Sequence, residues 1–379
     1  MSKSPGKFIR AQGGYKFYIP NPLPPKIEWD IQLVNALSQA SRLVGQLAGE
    51  GSKLPNPHIL IKPFVTREAV LSSKIEGSQA TLSDVLAADA GAMLDANASD
   101  IKEVNNYIAA LEFGIQRVKT LPLSLRLLKE LHAKLMDHVR GQHATPGEFR
   151  RSQNWIGVAG CTLATATYVP PSIEYLMECL GDFEKFLYDT TLPPLIQIAL
   201  AHYQFEAIHP FLDGNGRVGR LLIILFLIER EMLPTPLLYL SAFFEATRQE
   251  YYARLLAVTQ AGDWQTWLHY FLNGVARQSE DALSRTCRIN QLLENWRKKT
   301  AGLATSVPHQ LVDTLASNPF LTITQASESM GISYTTMQRA IEKIEKLGIV
   351  HEISGNQRNR VYCAKDILTI LEEPAKIKA

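Results

Sequence analysis

The chain of 379 residues has few cysteines and no long apolar run, and both absences exclude classes of protein. Its four cysteines, Cys161, Cys179, Cys287 and Cys363, are scattered without C-x-x-C spacing. Such scatter argues against a zinc site and against a disulfide framework. The most apolar run, residues 221–228, is far too short to cross a bilayer, so we expect no membrane role.

The chain also lacks an excess of charge of one sign. Its formal net charge is +2, which gives no global argument for a nucleic-acid or membrane partner. The first residues lack the apolar core of a signal peptide, and with the cysteine pattern this favours the cytoplasm. A composition of 46% hydrophobic and 20% charged residues is ordinary for a globular protein. The length allows two or three domains of about 150 residues each.

The spacing of apolar residues predicts a mainly α-helical chain. The first thirty residues, rich in Pro and Gly, predict an extended arm. A loop is predicted at 49–63 because five Gly and Pro residues fall there, and Asp100 is the expected N-cap of a helix at 100–118. The predicted helices cover residues 29–48, 64–75, 81–94, 100–118, 124–139, 172–188, 193–208, 241–261 and 264–287, with a strongly apolar helix that ends near residue 230.

Two parts of the chain depart from this helical pattern. Residues 155–158 and 166–169 predict two short strands paired as a hairpin. From residue 306 the order is helix, helix, tight turn, helix and two-stranded wing, which is typical of a winged helix-turn-helix. We therefore divide the chain into an N-terminal arm with helices, a core with flanking helices, a linker and a winged-helix domain, at residues 1–100, 101–287, 288–304 and 305–379.

One segment, residues 209–220, combines a base, a carboxylate, a glycine-rich turn and two arginines: His-Pro-Phe-Leu-Asp-Gly-Asn-Gly-Arg-Val-Gly-Arg. Because its flanks have helical character, we expect it to join two helices, with Gly214, Asn215 and Gly216 at the start of the second. Unpaired N–H groups at a helix N-terminus carry positive partial charge and cradle phosphate. Glycines let the backbone approach a ligand closely. The segment therefore predicts a site for a nucleotide polyphosphate.

The polar side chains of this segment have complementary chemistry. Arg217 and Arg220 are three residues apart, so both project near one side of the first turn and can clamp outer phosphates. Asp213 supplies a hard oxygen ligand for Mg²⁺, which needs only one or two protein carboxylates when phosphates supply the rest. His209, with an ordinary pKa of about 6.5, is a natural general base. Together these residues predict nucleotide transfer.

The segment resembles the signature of the Fic family, H-x-F-x-[D/E]-G-N-G-R-x-x-R, and matches it at all eight defining positions. Residues 147–150, the hairpin that follows, and Asp263-Trp264 also look like the family's flanking pattern. The resemblance implies a helical Fic bundle whose hairpin, residues 155–169, is a flap that pairs with an extended target segment. It also implies transfer of AMP from ATP to a Ser, Thr or Tyr hydroxyl of a target protein, with release of pyrophosphate.

The resemblance assigns roles to individual residues. His209 would deprotonate the target hydroxyl, and Asp213 would hold Mg²⁺ that bridges the α- and β-phosphates. Phe211 would be a core anchor, and Tyr252 would line the adenine pocket by stacking. The residues expected to contact ATP are Glu76, His209, Gly214, Asn215, Gly216, Arg217, Val218, Gly219, Arg220 and Tyr252.

A second pattern concerns control. Residues 72–77, Ser-Ser-Lys-Ile-Glu-Gly, fit [S/T]-x-x-x-E-[G/N], the inhibitory helix motif of many Fic proteins. The match implies an inhibitory site of Ser72, Glu76, Gly77 and Arg220, in which the Glu76 carboxylate pairs with Arg220 and removes the guanidinium that would hold the γ-phosphate. A negative residue at the end of a helix opposes the helix dipole, which favours a specific partner for Glu76.

Several alternatives stay open from sequence alone. They include UMP transfer, removal of AMP, self-modification, a homodimer, and a transcriptional regulator whose Fic core senses ATP while the winged helix binds DNA. Two other patterns are rejected. The G-x-G-x-x-G match at 214–219 lacks a preceding strand. The group His202, Glu206 and His209 lacks two histidines four residues apart, so His202 is expected to be a hydrogen-bonded structural residue.

Overall fold

The computed structural model describes residues 4–53, 57–92, 97–139, 145–234, 236–356 and 358–374, with the side chains of 52–60 also left out. Helices dominate these residues, as predicted, and two small antiparallel sheets accompany them. No helix within these ranges is both long and apolar enough to span a bilayer. The predicted helix end at Leu94 and the wing residue Gln357 lie outside the described residues.

The N-terminal segment is a β-hairpin, where the sequence predicted only an extended arm. Strand β1 (Gly6–Arg10) pairs antiparallel with β2 (Lys16–Pro20), so that Gly6 faces Pro20 and Arg10 faces Lys16. The backbone N–H of Tyr18 donates to the carbonyl of Val169 at 2.9 Å. The hairpin is therefore fastened to the segment predicted as a flap.

The predicted loop at 49–63 is wrong. Helix α1 (Ile31–Lys53) runs through its first part, and α2 (Pro57–Ile75) begins within it and contains Pro63. A proline inside a helix costs about 3 kcal/mol, but burying one large apolar side chain contributes about 1.5–3 kcal/mol. Helix α2 buries Phe64, Val65 and Val70. Tertiary burial of this face outweighs the local signal of the proline.

The next four helices have their predicted places, with shifted ends. They are α3 (Leu82–Asp89), α4 (Ala98–Arg117), α5 (Leu125–Leu135) and α6 (Ile173–Leu187). The N-cap of α4 is Asn97, whose side chain accepts from the N–H of Ser99, so the prediction of Asp100 is wrong. The Asp100 carboxylate accepts instead from the N–H of Gln79 at 3.0 Å.

Two helices at the centre of the bundle hold the signature segment between them. Helix α7 (Pro194–Ile208) and helix α8 (Asn215–Glu229) are buried on nearly every side. The apolar run 221–227 has at most 3% of its surface exposed, which confirms it as the buried core of the bundle. The segment therefore begins and ends on the most rigidly packed part of the molecule.

The following helices surround this centre. The predicted helix at 241–261 is two helices, α9 (Ser241–Ala246) and α10 (Arg248–Ala261), and α11 spans Trp264–Ala301. The segment predicted as a linker, residues 288–304, is therefore helical up to Ala301. Ile289, Leu293 and Trp296 are buried at helical spacing, a signal that the sequence itself contains.

The C-terminal elements follow the predicted order, with one additional strand and a final helix. They are α12 (Val307–Ser317), β3 (Phe320–Thr322), α13 (Ile323–Met330), α14 (Tyr334–Lys346), β4 (His351–Glu352), β5 (Val361–Cys363) and α15 (Lys365–Glu372), with the strands in the order β3-β5-β4. This unit is fastened to α3. The side chains of Asn318, Thr322 and Gln325 donate to the carbonyls of Leu86, Ala90 and Asp89 at the end of that helix.

Candidate active site

The loop between α7 and α8 is shaped by two left-handed residues and one asparagine. His209 caps α7 at φ 49°, and Gly214 caps α8 at φ 77°. A Cβ at Gly214 would lie 3.0 Å from the Met136 sulfur, so glycine serves both backbone angle and packing there. The Asn215 side chain accepts from the N–H of Phe211 at 2.8 Å and donates to its carbonyl at 2.9 Å. The asparagine thus closes the loop.

Three polar residues outside the loop hold it from below. The buried Arg150 donates through Nε to the carbonyl of His209 at 3.0 Å, and Asn154 donates to the carbonyl of Phe211 at 2.8 Å. His132 accepts from the N–H of Gly147 through Nδ1, so its Nε2–H donates to the carbonyl of Asp213 at 3.1 Å. Because these bonds fix backbone carbonyls, the loop is held in one shape before any ligand arrives.

The imidazole of His209 is oriented by its own helix. Nδ1 lies 3.3 Å from the carbonyl oxygen of Glu206, an acceptor, so Nδ1 carries the proton and Nε2 is the free base. Burial lowers the pKa of His209 to about 4, against a smaller raising effect of that carbonyl. The ring is therefore neutral at physiological pH, which is the state a general base requires.

The start of α8 presents unpaired backbone N–H groups. The first bond of the helix runs from the N–H of Val218 to the carbonyl of Gly214 at 3.0 Å, so the N–H groups of Asn215, Gly216 and Arg217 precede it. A Cβ on Gly216 would overlap Oε1 of Glu76. A carboxylate oxygen therefore lies directly against the helix end that is suited to phosphate.

The end of α2 provides three hydrogen-bond acceptors to the guanidinium of Arg220. Its Nε donates to Ser72 Oγ at 2.8 Å, and its Nη2 donates to the Ser72 carbonyl at 3.0 Å and to Glu76 Oε1 at 2.7 Å. Burial raises the pKa of Glu76, but the charge and hydrogen bond of Arg220, together with the charge of Arg217, outweigh it and the net pKa is lowered. The structure thus brings together the residues of the predicted inhibitory site, although 144 positions separate Glu76 from Arg220.

Arg217 and Asp213 lie on the other side of the helix start. The Arg217 side chain is 5% exposed, and its Nε and Nη1 have no hydrogen-bond partner among the described residues, although Glu103 Oε2 is 4.0 Å from Nη1. The Asp213 side chain is 53% exposed and lies 3.8 Å from Arg217 Nη2. A buried guanidinium with unused donors beside an exposed carboxylate is suited to an incoming phosphate with its cation.

A cavity of about 610 Å³ opens in front of the loop. Its lining includes the polar Glu76, His209 and Arg220 and also Tyr252 and Leu256. Tyr252 is 44% exposed, and its ring lies beside that of the buried Tyr251, with 5.2 Å between the ring centroids. The volume and the combination of polar and aromatic lining suit a nucleotide.

Comparison with known proteins agrees with this geometry. Residues 34–116 match the model of the Fic/DOC family N-terminal region, and residues 122–227 match that of the Fic/DOC family. The chain thus contains a Fic/DOC domain at residues 122–227, preceded by the N-terminal region of that family. Among solved structures, a Fic family protein from Desulfovibrio desulfuricans G20 is similar with a TM-score of 0.61 at 21% identity, covering 90% of this chain and 98% of that one. At this identity the likeness concerns the fold.

Curated Fic relatives match over part of their length. The protein adenylyltransferase fic-1 of Caenorhabditis elegans is 33% identical over 166 residues, which are 43% of this chain and 28% of that protein. The protein adenylyltransferase Fic of Drosophila melanogaster is 36% identical over 109 residues, 28% of this chain and 20% of that protein. The solved structure of Fic-1 from C. elegans has a TM-score of 0.51 at 27% identity, covering 67% of this chain and 72% of that one. The chain therefore matches only a third or less of the length of these curated relatives.

Not all predicted residues of the Fic site face the cavity. Gly216, Arg220, Glu76, His209 and Tyr252 line it. The Asn215 side chain is used within the loop, so only its N–H points out of the helix start. The Val218 side chain is fully buried. Gly219 faces the interior, where a Cβ would overlap Oε1 of Glu206.

The flap is less regular than predicted. Residues 155–158 and 166–169 are not strands in the described structure and are joined by one antiparallel bridge, Ile156 to Tyr168, with backbone bonds of 2.8 and 3.0 Å. Trp155 and Val158 are 43% and 77% exposed. The short segments give too few ladder bonds for a regular hairpin, because Gly157 falls within the first of them.

Sequence reasoning missed several residues that hold the site. Arg150 belongs to a flanking pattern that assigns it no role. Neither His132 nor Asn154 has a sequence pattern that distinguishes it from other polar residues. His202 is hydrogen-bonded as expected, through Nδ1 to the Gly219 carbonyl at 3.1 Å and through Nε2 to the Tyr251 hydroxyl at 2.8 Å. Burial lowers the pKa of His202 to about 3, so it is a neutral structural group.

Proposed function

We propose that this chain is a protein adenylyltransferase that transfers AMP from ATP to a Ser, Thr or Tyr hydroxyl of a target protein and is restrained by its own Glu76. The observation that carries the proposal is the neutral, oriented imidazole of His209 beside Arg220 and a helix N-terminus, in a nucleotide-sized cavity. The intact signature and the printed names of the relatives support it further.

In the proposed reaction, the target hydroxyl gives its proton to Nε2 of His209. The hydroxyl oxygen forms a bond to the α-phosphorus, and the bond from that phosphorus to the bridging oxygen of the β-phosphate breaks. Pyrophosphate leaves with the electron pair. The N–H groups at the start of α8 and the two arginines stabilise the phosphate charge during transfer. Positioning and charge neutralisation suffice for this chemistry.

The residues at the start of α8 fit a magnesium ion bound together with ATP. The Asp213 carboxylate is exposed, and its described hydrogen bond is from the N–H of Gly214, so lone pairs remain for a metal. Mg²⁺, when bound, would neutralise phosphate charge. One protein carboxylate is enough when phosphate oxygens complete the shell. The assignment of Asp213 as its ligand is part of the proposal.

Tyr252 and the flap are proposed to receive the two substrates. The exposed ring of Tyr252 offers a face for adenine at the aromatic end of the cavity. The exposed Trp155 and Ile156 line the cavity from the flap, where an extended target segment can add as a strand. The loose pairing of the flap leaves backbone groups for that addition.

The restraint follows from competition for one guanidinium. With Glu76 2.7 Å from Arg220, the Nε and Nη2 donors of that arginine are occupied by α2, and the Glu76 oxygen lies against Gly216. A triphosphate brought to the same place meets a carboxylate. ATP is therefore expected to bind in an unproductive position until Glu76 moves.

Labelled nucleotide tests both parts of the proposal. The full chain is incubated with α-labelled ATP, Mg²⁺ and extract proteins, as the wild type, Glu76→Gly, and Glu76→Gly with His209→Ala. We expect weak protein labelling for the wild type, strong labelling for Glu76→Gly and none for the double variant. No labelling by Glu76→Gly across extracts would refute the enzymatic function, and equal labelling by the wild type would refute the restraint.

The same experiment separates the finer alternatives. Labelled UTP tests the preference for UMP, and loss of label from purified modified target tests removal of AMP. Label on the chain itself reports self-modification, and light scattering measures whether the chain is a homodimer. Cytoplasmic location stays a prediction of the sequence.

A second candidate function is DNA binding by the C-terminal unit, because its proposed recognition helix exposes cations. Arg339 and Lys346 of α14 are exposed, and so are Arg358 and Arg360 near the wing. The neighbouring acid Glu352 accepts hydrogen bonds from Ser354 and Gly355 and so turns into the wing. Fluorescence anisotropy with duplex DNA should show binding that weakens with salt and with Arg339→Ala. Absence of salt-dependent binding would exclude it.

A further inference from the structure

The carboxyl group of Glu206 lies beside His209 in the cavity, and nothing in the proposed reaction yet uses it. The two residues are three apart, and Oε2 of Glu206 is 4.0 Å from Nδ1 of His209. The Glu206 side chain is only 12% exposed, and its Oε1 is buried with no hydrogen-bond partner among the described residues. A buried, unsatisfied carboxyl oxygen costs free energy, so this position calls for an explanation.

Packing keeps the carboxyl group in this place. A Cβ on Gly219 would overlap Oε1 of Glu206, so glycine on α8 makes room for the side chain from α7. The same glycine lies against Phe205 and the His202 ring, which are both fully buried. The carboxyl group is therefore held between two rigid helices and has little freedom to turn to solvent.

The charged groups around the pair come from several elements. Arg220 of α8 and Glu76 at the end of α2 face Glu206. Arg150, Glu76 and Asp213 face His209, and the Tyr251 hydroxyl of α10 faces Glu206. Burial raises the pKa of Glu206 to about 8, and burial lowers the pKa of His209 to about 4. A charge on either group alone is disfavoured, while opposite charges on both offset each other.

We propose that Glu206 is a positioning residue whose carboxylate stabilises the imidazolium that His209 becomes during transfer. The inference rests on the proposed function. When Nε2 takes the hydroxyl proton, the positive ring keeps its Nδ1–H on the side of Glu206, and the pair is neutral overall. The proton later leaves Nε2 to water, which restores the base. The active form thus has a neutral His209 and an ionised Glu206.

A purely space-filling role for Glu206 gives different expectations. An uncharged residue of the same shape would then leave the titration of His209 and the pH dependence of transfer unchanged. Glu206→Gln is that residue, because it keeps the size and hydrogen-bonding groups while removing the ionisable proton. Glu206→Asp keeps an ionisable carboxyl and serves as the conservative variant.

The first test follows His209 by NMR in the full chain without nucleotide, with labelled histidine and His209→Gln to assign the signal. We expect the His209 ring signals of the wild type to move in two steps with pH, and those of Glu206→Gln to move only in the lower one. Glu206→Asp should retain both steps. Glu229→Gln removes another half-buried carboxylate, at the far end of α8 where it accepts from the N–H of Leu123, and should change neither step. Identical single-step titrations in wild type and Glu206→Gln would overturn the inference.

The second test measures transfer in the Glu76→Gly background, where restraint is removed. Above pH 8, where Glu206 is ionised, we expect Glu206→Gln to lower kcat by about tenfold, less than the loss of an acid–base group itself, with the KM for ATP unchanged. The rate with Glu206 should rise as pH passes about 8, where this carboxyl ionises, and Glu206→Gln should lose that rise. An unchanged kcat and pH profile would overturn the proposal. Absence of transfer in every variant would refute the proposed function, while the NMR titration would still decide the pairing.

Discussion

The two arginines at the start of α8 have opposite surroundings, although they belong to one signature and are three residues apart. Arg220 is 2% exposed, and α2 gives it three hydrogen-bond acceptors: Ser72 Oγ, the Ser72 carbonyl and Glu76 Oε1. Arg217 is similarly buried, but two of its three nitrogens lack a hydrogen-bond partner among the described residues. Of the two groups proposed to bind phosphate, Arg220 is therefore occupied by α2, and Arg217 still has donors without a described partner.

The difference locates control within the site. A phosphate that approaches Arg217 gives a buried cation the acceptors it lacks, whereas one that approaches Arg220 must displace Glu76. The restraint therefore acts on only one end of the expected triphosphate. It leaves the base, the loop and the other arginine fully formed, so removing a single carboxylate should be enough to release activity.

Removal of Arg220 should have the largest effect. In the Glu76→Gly background, Arg220→Ala is expected to lower kcat/KM for transfer by about 10³-fold, because an arginine on the transferring phosphates contributes at least that much in related chemistry. Initial rates with α-labelled ATP measure the change. Arg220→Lys, which keeps the charge without the planar fork, should recover only part of the rate. Turnover unchanged by Arg220→Ala would refute its role at the phosphates.

Removal of Glu76 should have the next largest effect. Glu76→Gly is expected to raise transfer by about 10- to 100-fold, which corresponds to the coupling energies usual for regulatory sites. Glu245→Gln is the matched control, because Glu245 pairs with Lys74 at the same end of α2 at 2.9 Å and does not contact Arg220. A rise of equal size in the control would show that loosening α2, rather than freeing Arg220, releases the enzyme.

Removal of Arg217 should have a smaller effect that does not depend on Glu76. Arg217→Ala is expected to weaken ATP binding about tenfold, the value of one charge-assisted hydrogen bond. Calorimetric titration with ATP and Mg²⁺ in the wild type and in Glu76→Gly measures it. Since α2 provides no hydrogen bond to Arg217 in the described structure, and Glu76 acts on it only through its charge, the loss should be nearly equal in the two backgrounds. Unequal losses would show that the two arginine sites are not independent.

The pH dependence of stability should show the smallest effect. The pKa of Glu76 is lowered in the folded chain, since the charge and hydrogen bond of Arg220 and the charge of Arg217 together outweigh burial. Its contribution to stability is therefore present above the ordinary glutamate pKa of about 4.3 and is lost as pH falls through the lowered value. The melting temperature of the wild type should exceed that of Glu76→Gln at neutral pH and approach it in acid. The difference stays small because the carboxylate is partly exposed and screened.

The main residues of the site could be predicted from the signature, because the proposed base, metal ligand and phosphate-binding groups lie within one short segment, residues 209–220. The approach of Glu76 to Arg220 was also predicted, from a second pattern. The groups that hold the loop could not be found in this way. Arg150 and Asn154 act on backbone carbonyls, and such contacts leave no spacing rule in a sequence. In the sequence, Glu206 belongs only to a group that is rejected as a metal site. The short distance between its carboxyl group and the His209 ring depends on the left-handed backbone of that histidine.

The errors in the predicted helices share one cause, which is that local sequence signals do not include the free energy of tertiary burial. Pro63 predicted a loop, yet the apolar face of α2 holds a helix through it. Helix α11 continues through most of the predicted linker after Cys287, because buried residues at helical spacing extend to Thr300. The error in the flap has a different cause. The sequence predicted two regular strands there, but Gly157 interrupts the first of them.

The fastening of Asn318, Thr322 and Gln325 to α3 has a consequence for any shortened protein. These side chains complete the carbonyl end of the helix that begins six residues after Glu76, and at Asn318 the bond spans 232 positions of the chain. A fragment that stops after α11 would uncover those carbonyls and the surface of α2 beneath them. The transfer rate of such a fragment would then reflect a weakened form of the proposed restraint by Glu76. Measuring that restraint therefore requires the chain with its C-terminal elements.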